Sequence, residues 1–227
     1  MLRYSLIEKG MKREFLLLQG TGCRWRKCTF CDYHTDVSED PYAINKDVLS
    51  LVSGRYGVLD IINSGSCIEF DKNTIALIQK TVEKKNIRTL WFEAHWMYRK
   101  HLKDFASLFP GVDVKFRVGV ESFNGKLRES WNKGIPESVG AEEIASYFNG
   151  CCLLVGVKGE TKQDILDDIF LADKYFEYFS VNLFCPNSTG EETDEELSYF
   201  VKTEIRKKLE GNSKAELLIE NTDLGVG

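Results

Sequence analysis

The chain has 227 residues, of which 43% are hydrophobic and 29% charged, and its net charge is −5. That composition is ordinary for one folded globular domain, spanning 1–227, and the acidic charge argues against a nucleic-acid-gripping module with a basic face. No apolar run reaches membrane-span length and Met1 to Lys9 lacks a signal-peptide core, so a cytoplasmic location, no membrane partner and a small-molecule substrate are expected.

In chain order the pattern alternates between strand-like and helix-like runs. Glu14 to Gln19 reads as a strand that enters a cysteine-bearing loop. Ile44 to Ser53 is helical. Val58 to Asn63 is a strand that ends in Ser64-Gly65-Ser66, and Asp71 to Lys85 is an amphipathic helix with Ile75, Leu77, Ile78 and Val82 on one side. Thr89 to Glu93 is a third strand. Arg99 to Leu108 is a helix stopped by Pro110-Gly111. Val114 to Glu121 alternates as a fourth strand. Asn124 to Asn132 is helical, with a C-cap signal at Lys133-Gly134, and Ala141 to Phe148 is another helix.

Cys151 to Val157 is an apolar fifth strand. Thr161 to Phe176 is a long helix opened by a Thr161/Asp164 capping box. Phe179 to Phe184 is a sixth strand, Asp194 to Leu209 a charged helix, and Leu217 to Ile219 a candidate last strand. Alternation of this kind implies an α/β fold with a parallel sheet. About six repeats are too few for a closed eight-fold barrel, which leaves a partial parallel β/α barrel or an open sheet. In both, the site lies at the C-terminal ends of the strands.

The cysteines follow from this frame. Seven is an odd number, and three of them, Cys23, Cys28 and Cys31, form C-x4-C-x2-C on the loop after the first strand. A clustered trio in a reducing compartment points to metal or catalysis rather than bridges. Three thiolates can hold three irons of a [4Fe–4S] cluster and leave the fourth iron open to a small molecule. A Cys3His zinc site with His34, in a non-enzymatic interaction module, is the alternative. Cys67, Cys151, Cys152 and Cys185 read as ordinary thiols, since strand alternation sends the adjacent Cys151 and Cys152 to opposite faces.

The loop with its aromatic Phe30 just before Cys31 resembles the cluster loop of radical S-adenosylmethionine (SAM) enzymes, with one extra residue in the first gap. The resemblance runs from about Glu14 to Pro186, leaving a C-terminal helix and tail at 187–227. It implies the partial-barrel form of the fold, a [4Fe–4S] cluster on Cys23, Cys28 and Cys31, and SAM as cofactor. It also implies a 5′-deoxyadenosyl radical as hydrogen-atom abstractor, and an electron donor such as flavodoxin or ferredoxin. By the same resemblance Asn63, Ser64, Gly65 and Ser66 take the place of the turn that binds the methionyl amine, although the usual acidic residue is missing. The segment Gly119-Val120-Glu121-Ser122 through Arg128 to Asn132-Lys133-Gly134 resembles the segment that, in relatives acting on tRNA or deazapurines, places Glu121 or Ser122 on the ribose and Arg128 on the SAM carboxylate.

The remaining polar strand ends are Glu93 with His95, Asn182, and the tail residues Glu220 and Asp223. Glu93 and His95 are the candidate catalytic pair; Asn182, Glu220 and Asp223 are candidate substrate contacts, since carboxylates accept the N–H donors of a guanine-like edge. The short chain and acidic charge favour a free base over tRNA. The resemblance to the small 7-deazapurine-salvage branch implies a lyase that cleaves queuine to 7-aminomethyl-7-deazaguanine.

Overall fold

The computed structural model describes all 227 residues and divides them into two compact units. The first comprises Met1–Arg26, Tyr33–Arg117 and Leu224–Gly227. A hairpin opens it: β1 (Tyr4–Ile7) lies antiparallel to β2 (Arg13–Leu17), and Gly10 turns between them at φ 62°. β3 (Val58–Ile62), β4 (Thr89–Glu93) and the first part of β5 (Asp113–Glu121) then add in parallel, in chain order. Helices α1 (Tyr42–Ser50), α2 (Lys72–Lys85) and α3 (Leu102–Ala106) connect them.

Strands buried on both faces need near-continuous apolar runs. Phe15, Leu16, Leu59, Ile61, Leu90 and Phe92 supply these and are almost fully enclosed. Each such side chain contributes about 1.5–3 kcal/mol when taken out of water. α2 begins where Asp71 accepts the amides of Asn73 and Thr74, and ends at left-handed Asn86. Its stripe of Ile78 and Val82 is buried.

Three charged groups interrupt this apolar interior. Asp60 is fully enclosed between Arg13, whose Nε donates to Oδ2 at 2.8 Å, and Arg117, whose Nη1 and Nη2 donate to its two oxygens at 2.8 and 2.6 Å. Arg117 Nε lies 3.7 Å from Glu93 at the end of β4, so the chain of charges runs from the buried strands out to a strand end.

The ends of the cysteine loop are fixed within this unit. Asn45 accepts from the Gln19 amide and donates to the Gln19 carbonyl, both under 3 Å. Gly20 bridges to Val37, and the Arg3 guanidinium grips Asp36 with two hydrogen bonds.

The second unit comprises Lys27–Asp32 and Val118–Asp223. After the end of β5 come α4 (Gly125–Ser130), α5 (Ala141–Ala145), β6 (Gly150–Val155), α6 (Lys162–Tyr175), β7 (Tyr178–Leu183), α7 (Glu195–Phe200), α8 (Arg206–Leu209) and β8 (Ala215–Leu218). β6, β7 and β8 pair in parallel and in chain order. Thr161 and Asp164 cap α6 reciprocally, as its capping box predicts. The expected helix 194–209 forms with a π turn, Val201–Ile205, set into it between α7 and α8.

Candidate active site

In the first unit, the Cys23 arm of the loop packs on the turn that follows β3. Gly22 takes φ +90°, and Arg26 takes φ +47°, a left-handed bend inside the long first gap. Glu69 accepts the Arg24 amide at 3.0 Å and the Tyr98 hydroxyl at 2.8 Å. Burial, reinforced by this carboxylate, pushes the Tyr98 phenol up to about 12, so it keeps its proton and donates. Trp25 stacks on the His95 ring with centroids 5.1 Å apart.

His95 itself is buried just past β4. Its amide donates to Ser66 Oγ, and its Nδ1 accepts the Met97 amide, which places the imidazole proton on Nε2. Glu93 is half-exposed at the strand end, with its carboxylate beside Arg117. Asn63 leads into the turn, and its Nδ2 is buried without a hydrogen-bond partner, against the start of the cysteine loop at Gly20.

In the second unit, Cys28 to Asp32 is held by two other segments. The Thr29 amide donates to the Trp131 carbonyl, and the Phe30 ring meets Trp131 edge-on. Asn187, in the loop after β7, donates to the Phe30 carbonyl at 2.7 Å, and the Ser188 amide and hydroxyl both donate to Asp32. Sequence reading missed these anchors. A loop residue that caps a distant carbonyl leaves no periodicity or spacing, and only proximity to Cys185-Pro186 at a strand end hinted at it.

Glu121 ends β5 at φ 67°, where a non-glycine backbone is strained, and such strain concentrates at functional sites. Its Oε1 accepts from Lys133 Nζ at 2.7 Å, and the ammonium lies 5.8 Å from the centre of the Phe30 ring. A Cβ at Gly119 would fall 2.4 Å from Glu121 Oε1 and 2.9 Å from Lys133 Nζ, so only glycine leaves room for this pair. Ser122 is fully buried, with its hydroxyl accepting the Asn124 amide.

Arg128 has a different task from the expected one. It is fully enclosed, and its guanidinium donates to the carbonyls of Ser122, Ile135, Pro136 and Val139. Those four bonds tie α4 to the turn after it. They leave the planar fork committed to the backbone rather than open to a SAM carboxylate.

Of the expected substrate contacts, Asn182 donates Nδ2 to the Leu153 carbonyl on the neighbouring strand. Asp223 accepts the amides of Ile219 and Glu220 and so closes a turn; Glu220 is exposed.

The thiol chemistry suits the loop. None of the seven cysteines is in a disulfide, and Cys23, Cys28 and Cys31 are half-buried, whereas burial pushes the Cys67 and Cys151 thiols well up and keeps them inert. Thr29 Oγ1, next to Cys28, is buried without a partner, a donor of the kind that thiolate or sulfide ligands accept. Nowhere do three or more His, Cys, Asp or Glu side chains form a single-ion ligand group. A cubane cluster, which takes one thiolate at each of three separate irons, does not ask for one.

No family model matches the sequence, and no curated protein does. Solved structures do. A queuine lyase from Clostridium spiroforme bound to SAM and queuine is 40% identical, with a TM-score of 0.95 over 100% of this chain and 99% of that one. Streptococcus suis SuiB bound to S-adenosylmethionine is 15% identical, with a TM-score of 0.57 over 92% of this chain and 51% of that one, a likeness of fold. The expected fold class, an α/β partial barrel of the radical SAM type, stands on these matches, and they set aside the open sheet and the zinc module. With identity at that level over its whole length, the chain belongs to the queuine lyase family of radical SAM enzymes.

Proposed function

We propose that this chain cleaves the C–N bond of queuine to give 7-aminomethyl-7-deazaguanine, using a [4Fe–4S] cluster on Cys23, Cys28 and Cys31 together with SAM. The observation that carries the reading is the full-length match to a queuine lyase that holds both SAM and queuine. When bound, the reduced cluster and SAM supply a 5′-deoxyadenosyl radical able to take a hydrogen atom from an unactivated C–H bond.

The chain's own residues orient and insulate that chemistry. The Asn63 to Ser66 turn, backed by Glu69, receives the methionyl end of SAM. Phe30, whose ring is set by Trp131 and Lys133, would shield a cluster held by the neighbouring Cys31. Glu121 and Ser122 present the end of β5 to the ribose. Glu93, steadied by Arg117, accepts N–H donors of the deazaguanine edge, and Asn182, Glu220 and Asp223 line the substrate side. His95, with Nδ1 held by the Met97 amide, presents its Nε2–H as a hydrogen-bond donor to the substrate amine. An electron donor of the flavodoxin or ferredoxin class completes the cycle. No helix of the chain is long and apolar enough to cross a membrane.

The test is direct. Anaerobically reconstituted protein, given SAM, dithionite and queuine, should release 5′-deoxyadenosine and 7-aminomethyl-7-deazaguanine, read by mass. Cys28→Ala should lose iron and sulfide and both products. Turnover of SAM without loss of queuine, or modification of tRNA in its place, would overturn the substrate.

A further inference from the structure

One carboxylate joins three segments of the first unit. Glu69 closes the short 3-10 turn Cys67–Glu69 that follows β3. Its Oε1 accepts the Arg24 amide, one residue past Cys23, at 3.0 Å and the Tyr98 hydroxyl at 2.8 Å; its Oε2 accepts the Ser66 amide at 2.9 Å. The cysteine loop, the Ser64 to Ser66 turn and the segment after β4 therefore share one acceptor.

The packing is equally close. A Cβ at Gly65 would lie 2.3 Å from Glu69 Oε2 and 3.1 Å from both N and Cα of Cys23, so the turn, the carboxylate and the cysteine backbone are in contact. The Trp25–His95 stack holds the same arm a second time, and the His95 amide in turn donates to Ser66 Oγ.

We propose that Glu69 is a positioning residue: its carboxylate fixes the Cys23 arm of the cluster loop against the Ser64 to Ser66 turn, so that the first cluster thiolate and the segment that receives the methionyl amine of SAM keep one spacing. The proposal rests on the radical SAM reading of the site. A glutamate side chain suits this place because all three neighbours are donors and both of its oxygens accept. A glutamine would turn an N–H toward one of the two amides and orphan it. With both oxygens already occupied by protein donors, Glu69 acts through the loop and the turn rather than on the ligand.

Full-length Glu69→Gln and Tyr98→Phe separate this role from a general one. In metal-free protein, the Arg24 and Ser66 region should exchange amide hydrogen about tenfold faster in Glu69→Gln, with the rest of the chain unchanged. Tyr98→Phe, which keeps both amide bonds, should retain that protection. After reconstitution, Glu69→Gln should hold wild-type iron, bind SAM about tenfold more weakly, and show an altered SAM-induced change in the electron paramagnetic resonance of the reduced cluster.

Wild-type exchange, affinity and spectrum in Glu69→Gln would overturn the proposal. If that variant loosens the whole unit, Glu69→Asp decides, because it keeps the carboxylate but draws it back from the two amides: faster exchange at Arg24 and Ser66 with SAM bound about threefold more weakly supports the clamp, and wild-type exchange and affinity overturn it. A wild-type cluster whose spectrum ignores SAM refutes the radical SAM reading itself, and the proposal with it.

Discussion

Asp60 shows how one buried residue can organise charge from the core out to a strand end. It is enclosed between two guanidinium groups and satisfies them with three hydrogen bonds of 2.6–2.8 Å. The pair of arginines carries one positive charge more than Asp60 offsets, and Glu93, 3.7 Å from Arg117, supplies the balance at the strand end. Removing one partner of a buried charge network leaves the others uncompensated, at a cost of about 3–5 kcal/mol. Asp60→Ala should therefore lower the unfolding free energy by that order in chemical denaturation. Glu93→Gln is half-exposed and should change stability by under about 1 kcal/mol while lowering kcat. Equal stability losses in the two variants would show that Glu93 belongs to the buried network and not to the site.

At the scale of the element, α4 and the turn after it test the new task of Arg128. The helix has only six residues, too short to hold itself, and left-handed Asn132 and Gly134 end it. Four guanidinium bonds to backbone carbonyls between Ser122 and Val139 supply the missing rigidity. Arg128→Lys keeps the charge but cannot reach four carbonyls from one ammonium, and should cost about 3 kcal/mol of stability. A carboxylate fork would instead raise the KM for SAM and leave the melting temperature alone, so the two measurements together discriminate.

The same element explains what was legible in the sequence. The helix, its Lys133-Gly134 stop and the polar end of β5 follow from local signals. The partners of Arg128 are carbonyls that only the folded turn brings together, and nothing in an Arg codon position announces them. Likewise the parallel strands and α6 with its capping box were readable from periodicity. β1 was not, because a four-residue edge strand, half-buried throughout and paired on one side, carries neither an apolar run nor a clean alternation. The anchors of the cysteine loop, Glu69 and Asn187 among them, were unreadable for a related reason: a single side chain bonded to a backbone far away in sequence has no pattern.

At the scale of the whole molecule, two buried carboxylates set the pH dependence of stability. Burial raises Glu160 to about 8 and Asp168 to about 7, although Glu160 accepts the Gly156 amide and Asp168 the Phe123 amide. Each keeps one buried oxygen without a partner, which a neutral carboxyl tolerates better than a carboxylate. In the unfolded chain both titrate near 4. The folded state therefore binds more protons than the unfolded state between about pH 4 and 8, and linkage makes stability fall as pH rises through that window. Burial also raises Asp71 and Asp164, but their cap hydrogen bonds more than offset it and hold them below the usual carboxylate range. Their contribution is complete once the pH passes the unfolded value, so it adds no slope above about pH 5. The melting temperature of the full chain, measured anaerobically, should decline from pH 5 to 8. Glu160→Gln with Asp168→Asn should flatten that decline, each replacing a carboxyl that the fold prefers neutral. A melting temperature that rises over the same range in the wild type, or an equal slope in the double variant, would place the pH dependence on other groups.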